Sequence, residues 1–169
     1  MVVGRPILHP RDPFGPFRVP LGGTPFPLVL PDYPAGVSVY AVAEAPEVRI
    51  RVADLGLACC AVEFAAAVAQ GLLVPVGPDA DAGATSILVI SGTVTDALAP
   101  AVLAAWEALP EPKAALSFGA CSNSGGPYWD SYAVTKGVDQ VIPVHAYVPG
   151  CPPRPEALID ALMSLAVPA

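Results

Sequence analysis

The sequence predicts an α/β domain organised around a mostly parallel β-sheet, and three observations carry that prediction. Short apolar runs rich in β-branched residues recur at residues 86–91, 114–118 and 141–148, as strands buried on both faces require. Stretches with helical apolar spacing stand between and after those runs, at residues 96–109 and from Pro155 onward. Two of the runs stop at a glycine, Gly92 and Gly119, where a parallel strand hands over to its crossover connection.

Residues 1–38 precede this pattern as a proline-rich arm, with Pro6, Pro10, Pro13, Pro16, Pro20, Pro25, Pro27, Pro31 and Pro34. Each proline fixes φ and lacks an N–H, so the arm is expected to be extended and not helical. A disordered tail fits this composition. So does an arm laid over a neighbouring subunit, because Phe14, Phe17, Phe26, Leu28 and Leu30 give it something to bury. The α/β domain proper is expected over residues 39–169.

Within it, residues 37–42 and 48–52 alternate at the period of strands. Cys59-Cys60 follows the second of these and opens an alanine-rich helix to about Gln70. The whole apolar stretch 55–76 reads as a buried helix. Glu63, Gln70 and Pro75 interrupt it, and a membrane span would hold Glu63 in lipid at high cost. The helix expected over 96–109 carries Leu98, Val102, Leu103, Trp106 and Leu109 and stops at Pro110. Pro143 places the run 141–148 at a sheet edge or a strand start. The last helix begins at Pro155-Glu156, where proline and an acid both suit a helix N-terminus. It is expected to bury Leu158, Ile159, Leu162 and Met163.

A length of 169 residues suits one domain with a real core. The chain is 54% hydrophobic and only 14% charged, against a usual charged share of about 25%. Either part of the apolar surface is covered by other subunits or a membrane-facing partner, or the excess reflects alanine. The net charge of −7, with 8 basic and 15 acidic residues, argues against nucleic acid as a partner. No Lys or Arg occurs between Arg51 and Lys113, so that stretch builds no phosphate clamp. The first residues lack the apolar core of a secretory signal peptide, and a reducing cytosol is the expected setting. There, metal or catalytic duty for cysteine outweighs disulfides.

The chain has four cysteines, Cys59, Cys60, Cys121 and Cys151, each just past the carboxyl end of a predicted strand. That rim is where open parallel sheets bind ligands. Adjacent Cys59 and Cys60 make a poor disulfide, because their side chains diverge. A structural zinc site favours paired hooks of the C-x2-4-C kind, which this spacing lacks. A catalytic thiol needs a base. His145 is the one histidine outside the arm, and within a strand it reads as a satisfied or exposed strand residue. A cubane cluster needs four thiolates from separate loops, with glycines that let backbone approach the sulfides. Gly56, Gly119, Gly125, Gly126 and Gly150 supply those. Cluster, zinc and unrelated buried cysteines all stay open on these grounds, with the cluster fitting best.

Seven motifs sharpen this. They are Gly-Leu-Ala-Cys-Cys-Ala-Val-Glu at 56–63, Ser-Gly-Thr-Val-Thr at 91–95, Pro-Glu-Pro-Lys at 110–113, Gly-Ala-Cys-Ser-Asn-Ser-Gly-Gly at 119–126, Asp-Ser-Tyr at 130–132, Lys-Gly-Val-Asp at 136–139 and Tyr-Val-Pro-Gly-Cys-Pro-Pro-Arg-Pro-Glu at 147–156. Together they closely resemble the B subunit of respiratory NADH-quinone oxidoreductase, complex I. The small subunit of group 4 membrane-bound nickel–iron hydrogenases has a similar pattern.

The resemblance implies a flavodoxin-like α/β fold with helices on both sheet faces and the cluster at the carboxyl ends of the strands. It implies one [4Fe-4S] cluster on Cys59, Cys60, Cys121 and Cys151, the last of a chain, passing electrons toward quinone in a proton-translocating complex. Implied partners are a large subunit that shares the quinone site, a ferredoxin-like iron–sulfur subunit and a membrane arm. The implied location is peripheral, on the cytoplasmic face of the membrane, without a transmembrane helix and without activity of its own. The alternatives are the small subunit of a membrane-bound hydrogenase, with a nickel–iron partner, and a cluster-free or zinc-holding assembly protein.

Glu63 follows Cys60 by three residues on the helix, so it is expected either to tune the cluster or to serve as an ordinary helix acid. Tyr128, Trp129 and Tyr132 are expected to pack the loop after Cys121, not to react. The chain departs from the family in two places. The segment 64–84 lacks the family's arginines, which is expected to lower the cluster potential. The proline-rich arm and the strands at 37–52 replace the family's N-terminal helical region.

Overall fold

Two alternating segments open the domain as an antiparallel hairpin, β1 (Ser38–Val42) and β2 (Ala45–Gly56), joined by a turn at Ala43-Glu44 in the computed structural model. The chain then forms α1 (Cys60–Ala69), β3 (Leu73–Val76), β4 (Thr85–Ser91), α2 (Ala99–Ala108), β5 (Lys113–Phe118), α3 (Ala120–Ser124), β6 (Ala146–Val148) and α4 (Pro155–Ala166). The structure describes residues 38–76 and 84–166. The proline-rich arm therefore lies outside the described residues, apart from Ser38.

The six strands form one sheet in the order β3-β1-β2-β4-β5-β6. β2, β4, β5 and β6 run parallel, while β1 pairs antiparallel with both β2 and β3. The sheet is thus mixed and mostly parallel, as the apolar runs predict. Its centre shows why β4 is apolar throughout. Alternate residues Ile87 and Val89 join one cluster, with Phe64 and Ala67 of α1 and Leu158, Ile159 and Leu162 of α4. Their neighbours Leu88 and Ile90 join a second, with Val102 of α2, Leu109, Val138 and Ile142. All four β4 residues are 0% exposed, so the period-two pattern of a half-buried strand is absent. Helices cover both faces, as expected.

Several expectations need correction. The apolar stretch 55–76 is not one helix. β2 claims Leu55 and Gly56, α1 holds only Cys60–Ala69, and Gly71 at φ +75° turns the chain out of the helix. Leu73–Val76 then forms β3 on the outer edge of the sheet, where Pro75 is tolerated for want of an N–H. The strand expected over 141–148 shrinks to Ala146–Val148, and residues 141–145 form no strand, following a single 3-10 turn at Val138–Gln140. Pro143 accounts for the loss, since it cannot donate to the ladder. α2 starts at Ala99, with Pro100 in its first turn, and not at Asp96. On α4, Leu158, Ile159 and Leu162 are buried as expected, whereas Met163 is half-buried.

Candidate metal centre

Four parallel strands end on one rim of the sheet, and the cysteines follow three of them. After β2, the N–H groups of Leu57 and Ala58 donate to Ser91 O at the end of β4, at 3.0 and 3.2 Å. This draws the tandem pair beside the neighbouring strand. Cys59 is the N-cap of α1, and Cys60 is its first residue. A side chain at Gly92 would put its Cβ 2.6 Å from the Ala58 nitrogen, so only glycine allows the two loops to come this close.

After β5, Gly119 caps α3 and Cys121 is the helix's second residue. After β6 comes Pro149-Gly150-Cys151. Two hydrogen bonds tie these loops together, Gly119 N–H to Val148 O at 2.9 Å and Ala120 N–H to Gly150 O at 2.7 Å. The open side of Gly119, φ +98°, faces the Cys60 sulfur, which a Cβ there would strike. Gly126 backs onto Cys121 in the same way, where a Cβ would stand 3.0 Å from its sulfur. The cradle of glycines expected around the cysteines is therefore present at both of these positions.

The thiols share one neighbourhood. Burial first, and then the neighbouring Cys59, Cys121 and Cys151, together push the Cys60 thiol up to about 12. Cys60 and Cys121 are buried, at 2% and 6% exposure, whereas Cys59 and Cys151 are exposed. α1 and α4 both begin on this rim, and the positive end of a helix favours negative charge there. Among the described residues, no three of His, Cys, Asp and Glu are close enough to share a single metal ion. A cubane differs from such an ion in taking each thiolate on a different iron.

A buried polar frame supports Cys121. Ser117 Oγ, on β5, lies 2.8 Å from Ser122 Oγ and 2.6 Å from Asn123 Oδ1. Ser122 Oγ donates to Gly119 O at 3.2 Å, and Asn123 Nδ2 donates to Val148 O at 3.2 Å. Asn123 thereby links the Cys121 helix to the strand that leads to Cys151. Sequence reasoning passed over these residues. Their signal was a serine inside an apolar strand and a Ser-Asn pair directly after Cys121.

The remaining candidates divide. Glu63 lies half-buried in the first turn of α1, where a carboxylate complements the helix start. His145 stands just before β6, not within it. The residue is exposed, and its Nδ1 accepts the Ala115 N–H at 3.1 Å, so both sides of the expectation of a satisfied or exposed histidine hold. Tyr128, Trp129 and Tyr132 do not pack the loop after Cys121. They are 56%, 65% and 98% exposed. That loop is held by backbone partners: the Lys136 amine donates to Trp129 O and Ser131 O, and Thr135 to Val94 O. Of the arginine-free segment, β3 lies on the outer edge, separated from β2 by β1. Two strand spacings, about 9.5 Å, therefore separate it from β2, the strand that leads to the tandem cysteines.

Comparison with known proteins decides the family. Residues 44–165 match the family described as NADH ubiquinone oxidoreductase, 20 Kd subunit. The chain belongs to that family.

Its relatives include B subunits of NADH-quinone oxidoreductases from several bacteria. The second such B subunit of Streptomyces griseus is 58% identical to this chain over 116 residues, 66% of this chain and 49% of that protein. The first B subunit of the Salinispora tropica enzyme is 55% identical over 116 residues, 66% of this chain and 62% of that protein. The B subunit of the Chlorobium limicola enzyme is 48% identical over 114 residues, 65% of this chain and 60% of that protein. The chain thus spans about half to three-fifths of the length of these relatives. Among solved structures, a chain of the membrane-bound sulfane sulfur reductase, an archaeal respiratory membrane complex, is 30% identical. It superposes with a TM-score of 0.53 over 68% of this chain and 66% of that one. No helix among the described residues is long and apolar enough to cross a membrane.

Proposed function

We propose that this chain holds one [4Fe-4S] cluster on Cys59, Cys60, Cys121 and Cys151 and serves as the electron-transfer subunit of a complex I-type NADH-quinone oxidoreductase. The observation that carries this reading is the convergence of four thiols from three sequence-distant loops on one rim, with Cys60 in the electrostatic reach of the other three. The bound cluster would supply one-electron exchange without proton chemistry at the sulfurs. The chain's own part is to orient four thiolates. Gly119 admits Cys60, the Gly119 and Ala120 N–H groups tie the loops of Cys121 and Cys151 together, and the start of α1 offsets thiolate charge.

The partners in this reading are a large subunit that shares the quinone site, a ferredoxin-like iron–sulfur subunit and a membrane arm. The chain itself would sit peripherally on the cytoplasmic face. The exposed rings of Tyr128, Trp129 and Tyr132 suit burial in such an assembly. A second reading keeps the cluster and changes the acceptor, with a hydrogenase-type large subunit in place of the quinone partner. Two observations favour keeping it: the absence of Lys and Arg between Arg51 and Lys113, and the fold shared with a chain of a sulfane sulfur reductase.

Anaerobic purification followed by iron and acid-labile sulfide analysis tests the cluster. Four irons per chain and an EPR signal on reduction are expected, and Cys121→Ala should abolish both. Bound zinc, or no iron, would overturn the reading. Co-purification of the large subunit separates the two acceptors, because a hydrogenase-type partner carries nickel and a quinone-type partner does not.

A further inference from the structure

Ala115 lies inside β5, and neither its side chain nor its backbone reaches solvent. Downstream, Leu116, Ser117 and Phe118 pair with Ala146, Tyr147 and Val148 of β6. Upstream, the sequence Pro143-Val144 carries the chain away from the sheet, and regular pairing stops. His145 bridges the gap with both its backbone and its ring. Its N–H donates to Ala115 O at 2.9 Å, and its Nδ1 accepts the Ala115 N–H at 3.1 Å. The imidazole thus takes the place that a backbone carbonyl would hold in a longer strand. A nitrogen that accepts from an N–H carries no proton, which assigns the ring's proton to Nε2. The ring is also steadied from the other side. Trp106 of α2 lies 5.8 Å away, centroid to centroid, tilted by 35°. Lys113 in turn fixes Trp106, with its amine 4.6 Å above the indole and donating to Trp106 O at 3.1 Å.

We propose that His145 is a positioning residue for Cys151: its Nδ1 extends the β5–β6 ladder by one rung and so fixes the strand that delivers Cys151 to the rim. β6 has three residues, and its pairing with β5 is short. One added rung is therefore a large share of what holds it. Past Val148, the Gly150 carbonyl receives the Ala120 N–H, so the placement of β6 also sets the distance between the Cys121 and Cys151 loops. The meaning of this for a cluster rests on the proposed function; the ladder itself does not.

The test uses the full chain with and without iron, and the variants His145→Ala and His145→Asn. Asparagine keeps an acceptor at the position of Nδ1; alanine does not. In the iron-free wild type, nitrogen NMR should show an unprotonated Nδ1. His145→Ala should speed Ala115 amide exchange roughly tenfold, the worth of about one net hydrogen bond. It should also speed alkylation of Cys151 and leave that of Cys59 unchanged, while His145→Asn restores both rates. In the iron-loaded chain, His145→Ala should shift the EPR spectrum and His145→Asn should not. A proton on Nδ1 would overturn the proposal without any variant. An unchanged Ala115 rate would overturn it too, as would a Cys151 rate insensitive to His145→Ala or one that asparagine fails to restore. Iron content of the wild type is read separately, so a failure of the cluster reading would show there and in the EPR arm, while the nitrogen NMR, amide-exchange and alkylation arms still decide the ladder.

Discussion

Gly119 shows how much one residue decides. Its φ of +98° is closed to ordinary side chains, and the space where a Cβ would stand belongs to the Cys60 sulfur. Gly119→Ala should therefore cost about 1–3 kcal/mol of stability in urea denaturation of the iron-free chain. It should also lower the iron retained per chain, because Cys60 must move. At the same scale, the Tyr147 hydroxyl donates to Asp139 Oδ2 at 3.3 Å. Desolvation first, and the Asp139 carboxylate second, raise its pKa above the usual 10. A raised folded-state pKa adds stability that is complete below the unfolded value, near 10, and disappears as pH rises through the folded one. Asp139→Asn should therefore bring one tyrosinate absorbance step to lower pH and remove, at neutral pH, the small part of that stability that Asp139 supplies. The cysteines and the glycines around them were legible in the sequence because their chemistry leaves few other uses. Asn123 and His145 were not, since their roles depend on carbonyls and N–H groups about 25 to 30 positions away.

Elements were legible in proportion to their burial. β4 and β5 declare themselves as continuous apolar runs because helices cover both of their faces. α4 declares itself through Leu158, Ile159 and Leu162, which all enter one cluster. Leu162, at 0% exposure, has no route to solvent, so Leu162→Ala should destabilise the chain by about 2–5 kcal/mol in chemical denaturation. If the loss were below about 1 kcal/mol, α4 would not be packed as described. The short elements were illegible for a matching reason. α3 has five residues, β3 four and β6 three, too few for any period to show. What holds them is tertiary: the Ser117–Asn123 frame for α3, the edge of β1 for β3 and the His145 rung for β6. The helix assigned to 55–76 failed on the same ground, because composition alone cannot divide an alanine-rich helix from the strands that flank it.

At the scale of the whole molecule, the apolar excess of the composition divides between core and surface. Part fills the clusters on the two sheet faces, and part stands exposed as Tyr128, Trp129 and Tyr132 in one loop close in sequence to Cys121. The cores bear on whether a cluster would be a structural necessity. In small zinc domains the metal supplies about 10–16 kcal/mol and the chain is unfolded without it. Here the second apolar cluster contains no cysteine, and the first contains only Cys60 among many aliphatic residues. Hydrophobic burial on both faces of β4 therefore supports the sheet without help from a cofactor. Iron-free wild type and Cys121→Ser should both keep the far-UV circular dichroism of the loaded chain and unfold in one cooperative transition. Amide protection should survive in β4 and β5 and fall around α3 and residues 149–151, where polar ties and thiols do the holding. Collapse of the whole spectrum on iron removal would show instead that the rim, and not the sheet, is what the rest of the molecule is built upon.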